Sequence, residues 1–97
     1  MKGETDMKFE LGRLVVTKGI ADMMEENPQF SEDVTTAFVK YQNCDWGITC
    51  EEDAEMNNEA LTGEDRILAV YETCKGEIWI ITEWDRSVTT ILFPSEY

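Results

Sequence analysis

The sequence predicts an α+β fold: an antiparallel sheet of about four strands, made of an N-terminal strand and a C-terminal three-stranded meander, with two to three helices packed mainly on one face. Three observations carry that expectation. Between Ile20 and Leu61 apolar residues recur at helical spacing, whereas from Arg66 onward runs of Ile, Val, Thr and aromatic residues take over. The chain of 97 residues is one small domain, with room for a single core. A hydrophobic share of 42%, with three Trp, four Phe and three Tyr, fills that core, so the chain reads as folded despite its charge.

Taken in order, residues 1–7 are polar and expected to fray. Residues 8–16 read as a strand through Phe9, Leu11 and Leu14-Val15-Val16, with Gly12 as a bulge where the alternation slips. Thr17 is placed to cap a short helix whose Ile20, Met23 and Met24 share a face, and Asn27-Pro28 closes it. Ser31 is expected to cap a second helix, in which Val34, Ala37, Phe38 and Tyr41 form a core-facing stripe. Trp46-Gly47 marks a turn with an aromatic anchor. Thr49-Cys50-Glu51-Glu52 then offers a capping box for a third helix, which reaches to about Leu61 and is ended by Gly63. Its weak stripe of Ala54, Ala60 and Leu61 places it on the surface. Residues 67–73, 77–83 and 88–93 are the meander strands, with tight connections at Cys74-Lys75-Gly76 and Trp84-Asp85-Arg86-Ser87. The middle strand is apolar on both sides and belongs inside the sheet. Pro94 stops the last strand and leaves a short tail.

Charge is the strongest compositional signal. Against 21 acids stand 8 bases and no His, a net charge of −13. Residues 44–65 (CDWGITCEEDAEMNNEALTGED) hold Asp45, Glu51, Glu52, Asp53, Glu55, Glu59, Glu64 and Asp65 without a Lys or Arg. Such a surface repels nucleic acid and anionic lipid and favours basic partners, including proteins that hold DNA or RNA. The plain alternative is solubility. A capping role accounts for Glu52, and the positive end of the helix dipole partly for Glu51 and Asp53. Glu55, Glu59, Glu64 and Asp65 keep no such local reason.

The absence of His excludes Ser-His and Cys-His catalysis and any His-containing zinc motif. The acids lie on an exposed helix start with nothing to converge on, so no enzyme is expected. No apolar run approaches the roughly 20 residues of a membrane span, and MKGETDMKFE lacks the apolar core of a signal peptide, which points to the cytoplasm. Three cysteines exclude a complete disulfide framework. Cys44, Cys50 and Cys74, with Asp53 or Asp45 supplying an oxygen, compose a candidate zinc set, set against a reading as ordinary thiols; the C-x5-C spacing departs from the usual zinc pattern. No cofactor is required. The EEDAEMNNE run has helical spacing and lacks the glycine pivot of a calcium loop. In the second connection, Asp85 and Ser87 are turn formers and Arg86 is expected to pair with Asp85, Glu83 or the acids of the third helix. The same segment also reads as a partner-binding tip with Trp84 as anchor beside Arg86.

The DWG at residues 45–47, followed by Glu52-Asp53 and Asn57 and then by ITEWDRSVTTILFP at residues 81–94, resembles a family of small accessory proteins of bacterial, plasmid and phage genomes, some tied by name to restriction systems. The resemblance spans roughly residues 8–97. In that pattern position 44 is small, so Cys44 and Cys74 are particular to this chain. Mobile-element context with extreme acidity implies a defence inhibitor of the anti-CRISPR or anti-restriction kind, placing carboxylates where a nuclease expects phosphates. Glu51, Glu52, Asp53, Glu55 and Glu59, with Asp22, Glu25 and Glu26 alongside, would be the mimic, Glu64 and Asp65 would extend it, and Trp46 or Trp84 would anchor it. The expected partner is a basic nucleic-acid-binding protein such as a CRISPR effector or restriction enzyme in a bacterial host cell, with no direct nucleic-acid or membrane binding and a monomer or weak homodimer. The alternative is a non-catalytic regulatory module, its acidity serving solubility, stabilised or not by zinc.

Overall fold

The computed structural model describes residues 9–63 and 65–97. The expected fraying at residues 1–7, Lys8 of the expected first strand, and Glu64 lie outside the described residues. The elements follow the order β1 (Arg13–Val16), α1 (Lys18–Glu26), α2 (Pro28–Gln42), α3 (Glu51–Ala60), β2 (Ile67–Thr73), β3 (Gly76–Thr82) and β4 (Val88–Leu92), then a 3-10 turn (Pro94–Glu96). This is the expected α+β architecture. The four strands lie in the order β1-β4-β3-β2, with β3 inside the sheet.

The sheet is mixed, not purely antiparallel. β2, β3 and β4 form the expected meander, but β1 runs parallel to β4, with Leu14 beside Thr89 and Val16 beside Ile91. The reason lies in the connection. Two hairpin reversals make β4 parallel to β2, and a helical crossover of the kind that links β1 to β2 delivers parallel strands.

Register decides what is buried. Ile67, Ala69 and Tyr71 of β2, Ile78 and Ile80 of β3 and Ile91 of β4 point to one face, where they meet Ile20, Phe30, Val34, Ala37 and Tyr41 of the helices. α2 and α3 cover β2, while α1 lies against β4 and α2. On the opposite face Trp79 packs edge-on against Tyr97 at 5.3 Å, and the Arg66 guanidinium sits over the Tyr97 ring.

A polar thread runs through this core. The Thr89 hydroxyl donates to Leu11 O at 2.6 Å and stands 2.8 Å from the Thr82 hydroxyl, which stands 2.6 Å from Tyr41 Oη. Each hydroxyl has one proton. Thr89 spends its own on Leu11, so Thr82 donates to Thr89 and Tyr41 donates to Thr82. Burial pushes the Tyr41 hydroxyl above the ordinary tyrosine range, which keeps that donor protonated.

Helix starts depart from expectation at two of three places. Thr17 caps α1 as expected, accepting from Ile20 N. α2 begins earlier than Ser31: Asn27 accepts from Phe30 N at 3.0 Å and Pro28 fills the first turn, where its missing N–H costs nothing. Asn27 therefore closes one helix and opens the next. The Thr49–Glu52 capping box does not form; Cys50 occupies the cap position without a side-chain bond, because Thr49 is engaged with β2. The first strand begins only at Arg13. Gly12, at φ +67°, passes so close to the 83–87 turn that an added Cβ would lie 2.4 Å from Arg86 O. Among the described residues no helix is long and apolar enough to cross a membrane.

Candidate functional site

The segment from Cys44 to the end of α3 is built with two faces, and the inner one is structural. Asp45 Oδ1 accepts from Gly47 N, and the Tyr71 hydroxyl donates to Asp45 O at 2.8 Å. Gly47 has φ +66°, and a Cβ there would lie 2.5 Å from Val70 O and 2.4 Å from the Tyr71 ring, so this tight turn against β2 requires glycine. Trp46 is 7% exposed, packs against Tyr41 and Phe9, and donates through Nε1 to Asn58 Oδ1. The DWG motif thus fastens the loop to the sheet, and its Trp sits in the core rather than on a binding surface.

The same segment closes the outer edge of β2. Ile48 N donates to Val70 O at 2.9 Å, and Val70 N donates to the Thr49 hydroxyl at 2.8 Å. The Thr49 hydroxyl passes its own proton to Trp46 O. Nearly two turns into α3, the buried Asn57 amide donates to Leu68 O at 2.8 Å and accepts from Leu68 N at 3.1 Å. Leu68 and Val70, two of the three outward-facing residues of the strand, therefore have their backbone donors and acceptors satisfied by side chains and a loop, as a neighbouring strand would satisfy them; the third, Glu72, lies beside the hairpin turn.

The outer face of α3 is acidic. Glu51, Glu52, Asp53, Glu55 and Glu59 are all exposed. The single ion pair among the described residues is Lys18–Asp22, on α1. Asp65 is exposed, and with Asp53 and Arg66 it borders a cleft of about 420 Å³ whose apolar lining includes Met56 and Leu68. Arg86 pairs with no carboxylate among the described residues, contrary to the expected pairing with Asp85, Glu83 or the acids of α3. Its guanidinium donates to the backbone carbonyls of Ala60 at 2.6 Å, Asp65 at 2.8 Å and Glu83 at 3.1 Å, so it binds the last turn of α3 to the β3–β4 connection. Its own φ of +60° is held by that turn. Asp85 Oδ1 accepts from the Ser87 hydroxyl and amide, bonds that hold its carboxyl below the usual range. The consequence is positional: Trp84, 57% exposed, is tethered beside the C-terminal end of the acidic helix. The two candidate anchors therefore separate, Trp46 inside and Trp84 outside.

Cys50 and Cys74 are exposed and Cys44 is half-buried at φ 62°. Among the described residues no three Cys, Asp or Glu side chains are gathered where they could hold a metal ion, so the fold does not bring Cys44, Cys50, Cys74 and Asp53 together as one ligand set. Cys74 lies instead against α2, where its amide donates to Asp33 Oδ2 at 2.9 Å. Lost solvation and the Asp33 carboxylate push its thiol up, away from the thiolate that zinc prefers.

Three functional contributors in the scaffold were not legible as such: Asn57, Thr49 and Glu96. Asn57 carried one signal, a poor helix former at a mid-helix position. Glu96 carried none. From the tail its carboxylate accepts from the Thr17 hydroxyl at 2.6 Å, Phe93 N at 2.9 Å and Gly19 N at 3.1 Å, closing the N-terminus of α1. No protein-family model matches the chain, and no curated protein or solved structure matches it.

Proposed function

We propose that this chain is a non-catalytic acidic inhibitor of a nucleic-acid-handling protein, of the anti-CRISPR or anti-restriction kind, which binds a basic surface of its target through the outer face of α3 and blocks nucleic-acid loading. One observation carries the reading: among the described residues the exposed carboxylates of α3 make no ion pair, while Asn57, Asn58 and Ala60 supply the hydrogen bonds that hold the helix to the rest of the fold. Residues 51–59 span about 12 Å of helix axis at roughly 1.5 Å per residue. Along that axis the five carboxylates fall at about 0, 1.5, 3, 6 and 12 Å, a run of negative charge densest in the first turn; a strand of phosphates likewise presents closely spaced charge to a basic groove. Trp84 adds an aromatic anchor at one end.

The test is direct competition. A Cas9 or a type I effector is mixed with its labelled target DNA and increasing amounts of the protein. DNA loading and cleavage are expected to fall, and a Glu52→Gln, Asp53→Asn, Glu55→Gln, Glu59→Gln variant is expected to lose the effect. Unchanged loading and cleavage across several effectors would remove the reading.

A further inference from the structure

The sheet has two outer strands, and among the described residues only β2 has its edge covered, at Leu68 and Val70. We propose that the outer edge of β1 is a self-association site, at which β1 of one copy pairs antiparallel with β1 of a second copy to continue the sheet across both chains. Arg13 N donates to Ser87 O and Thr17 N to Ile91 O, so residues 13, 15 and 17 face β4. By alternation, the backbone groups of Leu14 and Val16 face away from the sheet. Among the described residues no strand lies outside β1, and the Leu14 and Val16 side chains are 47% and 36% exposed. A two-fold axis through Val15 would set Leu14 opposite Val16 of the second copy and Val16 opposite its Leu14, each pair exchanging both backbone hydrogen bonds.

Charge selects the occupant. Residues 11–21 (LGRLVVTKGIA) contain Arg13 and Lys18 and not one of the 21 acids. Lys18 is paired with Asp22, so among the described residues Arg13 is the unpaired cation of the segment, and the strand itself presents a cation and no carboxylate to a second copy. Repulsion between the remaining charges is screened over about 10 Å at 0.1 M salt, so added salt favours this dimer. The carboxylate-driven binding proposed for α3 responds to salt in the opposite sense, and neither proposal depends on the other.

Sedimentation equilibrium of the full chain reads the outcome. Because the strand is short and the interface small, the mass is expected to rise from that of one chain at about 10 μM toward that of two at about 500 μM, with the dissociation constant falling as salt increases. Val16→Pro removes an outward N–H and leaves the bonds to β4 in place; Leu14→Asp adds an anion to the exposed strand. Each is expected to raise the dissociation constant at least tenfold with the melting temperature nearly unchanged. If Val16→Pro fails to fold, Leu14→Asp alone decides. A wild-type chain that remains a monomer at the highest concentration, or a dimer of undiminished strength in Leu14→Asp, overturns the proposal.

Discussion

The two outer strands of the sheet meet solvent in opposite ways. β2 is flanked by a loop and a helix that satisfy Leu68 and Val70 with Asn57, Thr49 and Ile48. β1 is shorter and keeps exposed Leu14 and Val16 along an edge with no strand beyond it among the described residues. An unpaired edge is a template for another chain, and folded proteins usually cover it, charge it or shorten it. Here the first remedy is applied to β2 and the third to β1. The comparison also explains the composition of the segment that covers β2. Apart from Asp45, which closes the Gly47 turn, its inward side is neutral and hydrogen-bonding, so most of the charge falls on the outward side.

The harshest way to break the covered edge is to remove the turn that lets the loop reach it. Gly47→Val forces a β-branched residue into the left-handed region and against Val70 O, and is expected to cost about 3 kcal/mol or more in urea denaturation. Asn57→Ala keeps the helix but leaves Leu68 N–H and C=O without partners. A loss of about 2–3 kcal/mol is expected, together with new concentration-dependent association at β2 measured by light scattering. Asn57→Asp sharpens the point, since a carboxylate can still accept from Leu68 N but cannot donate to Leu68 O.

Thr82→Val interrupts the buried thread at its centre and acts on both halves of the sheet equally. It is expected to cost about 1–2 kcal/mol by thermal melting, without altering association. Smaller still is Glu96→Gln, which weakens the closure of α1 next to β1 by about 0.5–1 kcal/mol at pH 7. The bond from Thr17, then those from Phe93 and Gly19, holds the Glu96 carboxyl below the usual range. The unfolded chain therefore takes up this proton first as pH falls, and the contribution is complete above the ordinary Glu value of about 4.3 and lost through the lower folded value. The gap between wild type and variant should close below about pH 4. Neutralising Glu52, Asp53, Glu55 and Glu59 together should move stability by no more than about 0.5 kcal/mol, because none of them has an ion-pair partner among the described residues.

Much of the architecture was legible because periodicity is local. The stripe of Val34, Ala37 and Tyr41 and the meander of β2, β3 and β4 follow from spacing alone. The direction of β1 did not, since it is fixed by a crossover of three helices rather than by any residue in the strand. The capping box failed for a related reason. Thr49 and Glu52 have the right spacing, but Val70 N, far along the chain, claims the Thr49 hydroxyl. Trp46 and Trp84 look alike in sequence, each beside a turn, and only tertiary packing separates a buried anchor from an exposed one. Asn57 shows only as a poor helix former inside a helix, and Glu96 shows not at all, because both act on residues far along the chain.

Amide hydrogen exchange resolved residue by residue compares the two edges in one experiment. In dilute protein, Leu68 and Val70 should be strongly protected and Leu14 and Val16 should exchange quickly. As concentration rises, protection should appear at Leu14 and Val16 while that at Leu68 and Val70 stays constant. Fast exchange at Leu68 and Val70 would contradict the sealed edge, and exchange at Leu14 and Val16 that ignores concentration would contradict the open one.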